Sequence, residues 1–255
     1  MSKKWFILPL LFSFLVSVSC ADTKKDQMLE SVLDSLNLPS KNLIIANKEQ
    51  FLKDVEVVLA ADKDYLLTLV DKQHYLSKDY VPEDLVPLVK NNHYAINRND
   101  LSLRIPVEKA LCVMSDAAAK DGITILVSST FRSYDYQKNL YARNVKQLGQ
   151  AAADRESARP GTSQHQLGTA IDFGSITDDF VETKQGKWLA NNAMKYGFSL
   201  SFPDGYEDVT GYRYECWHYR YIGIEACKMQ QKWFGNIQQY MLEFLYAWDK
   251  ASTAQ

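Results

Sequence analysis

Two short stretches decide how this chain is interpreted: residues 163–172, with the sequence SQHQLGTAID, and residues 215–218, with the sequence ECWH. The chain has only 4 histidines, and two of them, His165 and His218, lie in these stretches. Asp172 adds a carboxylate seven positions after His165. Two imidazoles and one carboxylate are a sufficient ligand set for a catalytic zinc site with an open coordination position. The three side chains are therefore candidate metal ligands.

The local sequence predicts how these side chains are presented. Residues 159–163 (RPGTS) cannot form regular structure, so His165 should lie on an incoming loop. Residues 169–173 are small, β-branched and apolar and predict a short strand, and the aromatic-rich residues 212–221 predict another. Because side chains alternate along a strand, Glu215 and His218 would face opposite ways. A bulge or a strand end must therefore separate them if both serve one site.

Spacing alone does not establish a metal site. A lone buried histidine is usually a hydrogen-bonded core residue, and H-x6-D and E-x-x-H are each common by chance. The wider pattern is more specific: S-x-H-x-x-G-x-A-x-D is followed by E-x-W-H-x-R-Y-x-G. This pattern resembles the VanY-type D-alanyl-D-alanine carboxypeptidases, which share a zinc peptidase family with the LdcB-type L,D-carboxypeptidases of bacterial cell walls.

The resemblance extends to other parts of the chain. Residues 65–72 and 79–86 are similar to the first conserved segment of the family. Residues 128–133 (SSTFRS), with Gln137 behind them, resemble its S-G-[YF]-R-S-x-x-x-Q motif, and residues 210–212 (TGY) precede the glutamate as expected. The similarity covers about residues 64 to 235 and keeps four separated motifs in order.

The resemblance implies roles for individual residues. It implies one zinc ion per chain, bound by His165, Asp172 and His218, and a catalytic base at Glu215. The base would take a proton from water and return it to the leaving amine. Arg132 would contact the substrate peptide, because a cation can bind a carboxylate or stabilise an oxyanion.

Two further polar contacts and three departures complete the comparison with the family pattern. The resemblance implies that Gln137 and Ser163 support substrate binding. Thr130 replaces a glycine and Cys216 replaces a proline, and the His/Asp/His set satisfies the metal without the Cys216 thiol. Phe202 stands where a tyrosine is common, which removes one hydroxyl from the substrate side.

The order of predicted elements indicates an α+β fold. Helices and strands alternate without a regular βαβ repeat, and the resemblance implies a small, mainly antiparallel sheet flanked by helices, with the zinc site on the sheet, as in the Hedgehog/D,D-peptidase-like fold. A strand is predicted over residues 123–129. Helices are predicted over residues 26–38, 48–60, 107–120, 134–148, 187–196, 224–233 and 237–248. A stripe in the last helix, Tyr240, Phe244 and Trp248, predicts core packing.

Composition and charge are those of an ordinary globular protein. The 255 residues are 46% hydrophobic and 24% charged. A formal net charge of −2 gives no reason to expect nucleic-acid binding. His74 and His93 carry no metal-ligand spacing and are predicted to be structural or surface residues.

The N-terminus predicts export. Lys3 and Lys4 precede an apolar stretch over residues 5–18 that is too short to span a bilayer comfortably, and residues 16–20 (VSVSC) resemble a lipobox. Residues 1–20 are therefore predicted to be a signal peptide whose Cys20 is lipidated and anchored in a bacterial membrane. Serine at position 17, where leucine is usual, leaves ordinary signal cleavage next to Cys20 as the alternative.

The remaining boundaries follow from the motifs. Residues 21–63 are predicted to form a polar tether, over residues 21–25, and a helical extension, which either docks on the domain or acts as a stalk. Residues 64–235 would form the catalytic domain and residues 236–255 a C-terminal helix. Cys112 is predicted to lie in the core, while the spacing of Cys216 and Cys227 permits a bridge without establishing one.

The implied activity is zinc-dependent removal of the terminal D-alanine from peptidoglycan stem peptides. The sequence leaves open whether the bond is D-Ala-D-Ala or the L,D bond further inward, and it leaves the oligomeric state open. Two alternatives also remain: an inactive peptidoglycan-binding lipoprotein and a zinc endopeptidase of the same fold. Retention of Glu215 argues against a pure binder, since binding requires no base.

Overall fold

The computed structural model describes residues 20–253 of the chain. The helices are α1 (Cys20–Ser35), α2 (Lys41–Ala46), α3 (Lys48–Ala61), α4 (Ile105–Lys120), α5 (Tyr134–Leu148), α6 (Gln150–Glu156), α7 (Lys184–Asn192), α8 (Glu207–Thr210), α9 (Ile224–Trp233) and α10 (Gln238–Thr253). The strands are β1 (Leu85–Pro87), β2 (Ala95–Ile96), β3 (Ser102–Arg104), β4 (Leu126–Ser129), β5 (Ala170–Phe173), β6 (Phe198–Leu200) and β7 (His218–Tyr221). Short 3-10 helices cover Gln164–Leu167, Asp178–Glu182 and Ala193–Tyr196.

A five-stranded sheet with the order β2-β4-β5-β7-β6 lies at the centre of the fold. Strands β2 and β4 are parallel, and the other three neighbouring pairs are antiparallel. Strands β1 and β3 form a separate antiparallel pair. Helices flank this sheet without regular βαβ units, so the predicted α+β class with a mainly antiparallel sheet is confirmed.

Strand β5 separates the core from the candidate site. All four of its residues are buried. Ile171 and Phe173 pack in the core cluster that covers one face of the sheet, together with Val127, Tyr219 and the apolar face of α4. Because side chains alternate along a strand, Asp172 points to the opposite face. The alternation of strand β5 therefore aims one carboxylate away from the apolar core.

The N-terminal helices dock on the C-terminal ones. Leu33 of α1 and Phe51 of α3 belong to the same buried cluster as Trp233 of α9 and Phe244 of α10. The ring of Phe51 lies 5.4 Å from that of Trp233 and 4.9 Å from that of Phe244, both edge to face, which is a favourable arrangement for aromatic pairs. Docking, rather than a stalk, is thus the arrangement of the helical extension, and the predicted core role of the α10 stripe is confirmed.

The N-terminal segment of the described residues is helical from its start. Residues 21–25, expected to be a tether, are helical because α1 begins at Cys20. The predicted signal sequence before Cys20 lies outside the described residues. Within residues 20–253, no helix combines the length and apolar character needed to cross a bilayer.

The strand predicted over residues 212–221 is wrong in its first half. Strand β7 begins only at His218, because the backbone before it bonds elsewhere. Glu215 N donates to Phe202 O, and His218 N donates back to Glu215 O at 3.2 Å, which closes a turn just before the strand. The strand end required between Glu215 and His218 is therefore present.

Other boundaries shift by a few residues. The strand predicted from residue 123 begins at Leu126. The helix predicted over residues 187–196 is α7 followed by a 3-10 turn, Ala193–Tyr196, which ends at Gly197 in the left-handed region (φ 86°). Glycine is favoured there because it has no Cβ to clash.

The cysteines that the structure describes are not bridged. Cys112, Cys216 and Cys227 are free thiols, so the bridge that spacing permitted between Cys216 and Cys227 does not form. Cys227 packs in the helical cluster, whereas the Cys216 thiol donates to the carbonyls of Thr177 and Asp178 at 3.6 and 3.5 Å. The two cysteine side chains thus lie in different parts of the fold.

Candidate active site

Three elements bring the candidate ligands together. Asp172 on β5 and His218 on β7 are directly paired across the two antiparallel strands. His165 lies on the 3-10 helix Gln164–Leu167. Ser163 caps the start of this helix, because the backbone N of His165 donates to Ser163 Oγ at 3.3 Å. All three side chains are buried, and their ligand atoms lie within 4.8 Å of one another. Among residues 20–253 they form the one group of this kind.

The hydrogen bonds of His165 leave one nitrogen free for a metal. His165 Nδ1 lies 2.7 Å from Thr130 O, and since a carbonyl only accepts, Nδ1 donates. His165 Nε2 lies 3.2 Å from Asp172 Oδ2 without the geometry of a hydrogen bond. It is buried and has no hydrogen-bond partner among the described residues. A backbone carbonyl on the far nitrogen is the usual support of a metal-binding imidazole.

The charge states also suit a divalent cation. Burial, with Arg132 nearby, lowers the pKa of His165 to about 4, so its imidazole is neutral at neutral pH. Burial alone would raise the pKa of Asp172, but the neighbouring imidazoles and Arg132 hold it well below its usual value. An ionised carboxylate and an unpaired neutral imidazole are donors that zinc binds, and this donor set fits the metal.

Glu215 lies beside this group but is not part of it. Its Oε2 is 3.6 Å from His218 Nδ1, and its side chain is 13% exposed toward the cleft. Burial raises the pKa of Glu215 to about 7. A carboxyl group whose pKa is close to the working pH can both accept and return a proton.

A cleft of about 360 Å³ opens over the group. Its polar floor includes the three candidate ligands and Glu215. The apolar part of its lining comes from Leu140, Leu148, Ile176, Phe202 and Trp217. Phe202 also packs on the His218 ring with centroids 4.7 Å apart. A concave site with a few convergent polar groups and an apolar wall is the usual form of a small-molecule or peptide-end site.

The other residues singled out by sequence occupy different places. Arg132 lines the cleft; its Nε donates to Ser129 Oγ at 3.0 Å and its Nη2 to Asp172 Oδ2. Ser163 also lines the cleft. Gln137 is buried, and its amide donates to Ala158 O at 2.7 Å, which supports a residue of the cleft wall.

The remaining histidines stand apart from the site. His74 Nδ1 lies 2.8 Å from Asp71 Oδ1, and His93 Nδ1 lies 2.6 Å from Asp116 Oδ1. Neither joins a group with metal-binding geometry among the described residues. The structure thus separates these two histidines from the pair in the motifs.

Sequence reasoning missed the polar groups behind the ligands. Gln164 Oε1 lies 3.2 Å from His218 Nε2, and Ser201 Oγ donates to the same oxygen at 2.7 Å. Gln164 occupies a variable position of the histidine motif, and Ser201 lies far away in sequence. The sequence marks Thr130 only as a departure from the motif, although its carbonyl is the acceptor for His165.

Comparison with known proteins agrees with this geometry. The family model VanY, D-alanyl-D-alanine carboxypeptidase, matches residues 100–224. YodJ of Bacillus subtilis (strain 168), a candidate carboxypeptidase, is 32% identical over 263 residues, covering 94% of this chain and 96% of YodJ. The chain belongs to the VanY-type D-alanyl-D-alanine carboxypeptidase family. The resemblance of the motifs is thereby confirmed.

Solved structures of VanY-type enzymes share the fold. The LdcB LD-carboxypeptidase is 35% identical, with a TM-score of 0.61, and the match covers 68% of this chain and 86% of that chain. A vancomycin-resistance D,D-pentapeptidase VanY, solved in complex with Zn(II), is 29% identical, with a TM-score of 0.54, over 65% of this chain and 93% of that chain. The two neighbours differ in the bond named in their activity, L,D in one and D,D in the other.

Proposed function

We propose that this protein is a zinc carboxypeptidase that removes the terminal D-alanine from peptidoglycan stem peptides. One observation carries the proposal: three buried ligand atoms of His165, Asp172 and His218 lie within 4.8 Å of one another on the floor of a cleft that also exposes Glu215. Membership of the VanY-type family supplies the reaction class and the peptidoglycan substrate.

One zinc ion per chain would be held by His165 Nε2, the Asp172 carboxylate and His218. When bound, zinc polarises a carbonyl and makes water more acidic. The chain contributes the rest. Thr130 orients the His165 ring through its carbonyl. The β5–β7 pairing fixes Asp172 against His218, so two ligands are set by the sheet itself.

Glu215 is the proposed general base. Its carboxylate accepts a proton from the attacking water and later delivers that proton to the leaving amine, which is the amino group of the released D-alanine. The pKa of about 7 that burial gives Glu215 suits both transfers near neutral pH. The turn at the start of β7 places the Glu215 carboxylate beside His218, 3.6 Å from its Nδ1 and outside the group of three proposed ligands.

Arg132 is the proposed contact for the peptide's terminal carboxylate or for the oxyanion that develops at the scissile carbonyl. Its guanidinium is fixed by Ser129 and Asp172 and still lines the cleft. A guanidinium has five N–H donors, so those two contacts leave donors for the substrate. We propose Ser163 and Gln137 as supporting residues. Ser163 lines the cleft itself, whereas Gln137 supports the cleft wall through its hydrogen bond to Ala158 O.

The test is mass spectrometry of defined muropeptides after incubation with purified protein and zinc. A pentapeptide stem reports D,D cleavage, and a tetrapeptide stem reports L,D cleavage. A matched peptide with an amidated C-terminus should resist cleavage, because an exopeptidase recognises the terminal carboxylate. Cleavage within cross-bridges of amidated substrates would instead favour an endopeptidase, and no cleavage by zinc-loaded protein would favour a peptidoglycan-binding lipoprotein.

We propose that the protein acts outside the cytoplasm, anchored by a lipid on Cys20. The lipobox-like residues 16–20 support this assignment. Residues 64–235 would then be the catalytic unit, with residues 21–63 and 236–255 packed together as its support. Phe51 and Phe244 lie in one buried cluster, which supports the proposal that the two terminal segments pack together.

A further inference from the structure

The side-chain amide of Gln164 contacts the His218 ring on the side away from Asp172. The ring's Nε2 lies 3.2 Å from Gln164 Oε1, while its Nδ1 lies 3.0 Å from Asp172 Oδ1. Gln164 is buried, 6% exposed, and immediately precedes His165 in the chain. One residue of the 3-10 helix thus lines the cleft as a ligand, and its neighbour contacts the other histidine.

The side-chain oxygen of Gln164 is the amide atom that meets the ring, and the Ser201 hydroxyl lies against the same oxygen. Ser201 Oγ donates to Gln164 Oε1 at 2.7 Å. An amide oxygen has two lone pairs and only accepts, so it can take both the Ser201 proton and a proton from His218. The ring nitrogen that faces Gln164 Oε1 must therefore be the protonated one.

A proton on His218 Nε2 leaves the lone pair on Nδ1, which is the nitrogen that faces Asp172. His165 shows the opposite arrangement, because Nδ1 donates to Thr130 O and Nε2 faces Asp172. The two imidazoles would thus offer different nitrogens to one cation. Each is set by an oxygen acceptor on its far side, which is how proteins fix the tautomer of a ligating histidine.

We propose that Gln164, held by Ser201, is a positioning residue that fixes His218 in the tautomer whose Nδ1 binds the metal. The inference rests on the proposed function, which makes His218 a ligand. The single hydroxyl proton of Ser201 has its shorter contact with Gln164 Oε1, at 2.7 Å, and a longer one with Gln238 Oε1, at 3.3 Å, while the Gln238 amide donates to Ser199 O at 3.3 Å. Gln238 is the first residue of α10 and lies beyond the matched residues 100–224.

The first test uses the wild-type protein loaded with zinc. Two-dimensional NMR of ¹⁵N-labelled histidine distinguishes a ring protonated on Nε2 from one protonated on Nδ1. We expect the His218 proton on Nε2, protected from exchange with solvent, and the His165 proton on Nδ1. A His218 ring that carries its proton on Nδ1 overturns the proposal, whatever any variant does.

The second test measures zinc affinity by competition with a chelator. Gln164→Leu keeps the approximate volume but removes the acceptor, and we expect zinc affinity to fall about 10- to 100-fold, the usual cost of losing such a partner. Gln164→Glu keeps an acceptor oxygen and should restore affinity and the Nε2 proton. Gln231→Leu, an exposed glutamine on α9, is the matched control and should bind zinc as the wild type does.

Two outcomes contradict the role of Gln164. One is a Gln164→Leu protein with wild-type zinc affinity; the other is loss of affinity that Gln164→Glu fails to restore while circular dichroism shows both variants folded. If Gln164→Leu does not fold, Ser201→Ala provides the second variant: in the same NMR spectra its His218 Nε2 proton should exchange with solvent faster than in the wild type, and unchanged exchange would contradict the role of Ser201 in holding Gln164. Neither readout requires turnover, so a protein that binds zinc as expected but releases no D-alanine contradicts the proposed function alone.

Discussion

Asp172 and His218 lie directly opposite each other on strands β5 and β7, with Asp172 Oδ1 3.0 Å from His218 Nδ1. Cross-strand neighbours on one face of a sheet have their Cβ atoms about 4.5–5.5 Å apart, which is close enough for both side chains to bind one ion. The pairing of β5 and β7 therefore brings two of the three proposed ligands together without a contribution from any loop. His165 is the ligand that depends on a loop, and its 3-10 helix is held in place by Ser163 and Thr130.

Glu215→Gln separates chemistry from metal binding. The substitution keeps size and hydrogen bonding but removes the base, so turnover should fall by about 10²- to 10⁴-fold while zinc content stays near one per chain. D-alanine release and metal analysis on the same sample provide the measurement. Glu182→Gln, at an exposed position, serves as the control. Near wild-type release by Glu215→Gln would mean that another group is the base.

His218→Ala should lose metal and activity together. The change removes one of three protein ligands and leaves the buried Asp172 carboxylate with fewer partners. Metal analysis after dialysis, paired with D-alanine release, measures both effects. His93→Ala, which removes a histidine that bonds to Asp116 on the surface, should keep both zinc and activity. A His218→Ala protein that still holds one zinc would exclude this residue from the ligand set.

Arg132→Lys tests recognition of the terminal carboxylate. Lysine keeps the charge but not the fork of donors, so kcat/KM should fall on the order of 10- to 100-fold, as for a lost hydrogen bond to a charged group. The loss should be large for a peptide with a free C-terminus, whereas the slow residual cleavage of the matched amidated peptide should change little. Arg98→Lys is the exposed control. Equal losses on both peptides would assign Arg132 to the oxyanion or to Asp172 instead.

The cysteines should be slow to react in the folded protein. Burial raises the pKa of Cys227 to about 12 and also raises the pKa of Cys216, so little thiolate is present at pH 8. A thiol-specific reagent should label both residues at least about 100-fold faster after denaturation than before. Peptide mapping identifies the labelled sites. Denatured, unreduced protein that resists labelling at both positions would reveal a disulfide and contradict the free thiols.

Cys20→Ser tests the membrane anchor. Without the thiol no lipid can be attached, so the protein should move from the membrane fraction to the soluble exported fraction. Cys112→Ser, in contrast, should leave the distribution unchanged. Immunoblots of separated fractions measure the result. A Cys20→Ser protein that stays with the membrane after signal cleavage would leave the lipid anchor without support.

Much of the site could be predicted from sequence because its residues lie in short motifs. The alternation rule even required a strand end between Glu215 and His218, and the turn at the start of β7 provides it. The strand predicted from residue 212 failed because aromatic residues such as Tyr212 and Trp217 are buried by the cleft and core rather than by strand pairing. β-propensity reports burial on a pleated surface as much as backbone preference.

The supporting contacts could not be predicted in the same way. Gln164 meets His218 across 54 positions of sequence, and Thr130 meets His165 across 35. Such pairs exist only after the sheet and the 3-10 helix are placed, so no local pattern signals them. The sequence leaves the docking of α1 and α3 on α10 open for the same reason, since an amphipathic helix shows which face it buries but not its partner.

Helix α1 begins at Cys20 and is packed into the folded body, and this limits where an anchored enzyme can work. A lipid on Cys20 would be joined to the folded body by helical chain, since α1 runs from Cys20 to Ser35 and, over residues 23–35, its first buried residue is Leu29. A flexible leader lets a catalytic site sweep a volume that grows with its length, whereas a helical connection would restrict that volume. The reach of an anchored enzyme into the wall would then be limited by the length of α1 and the size of the folded body.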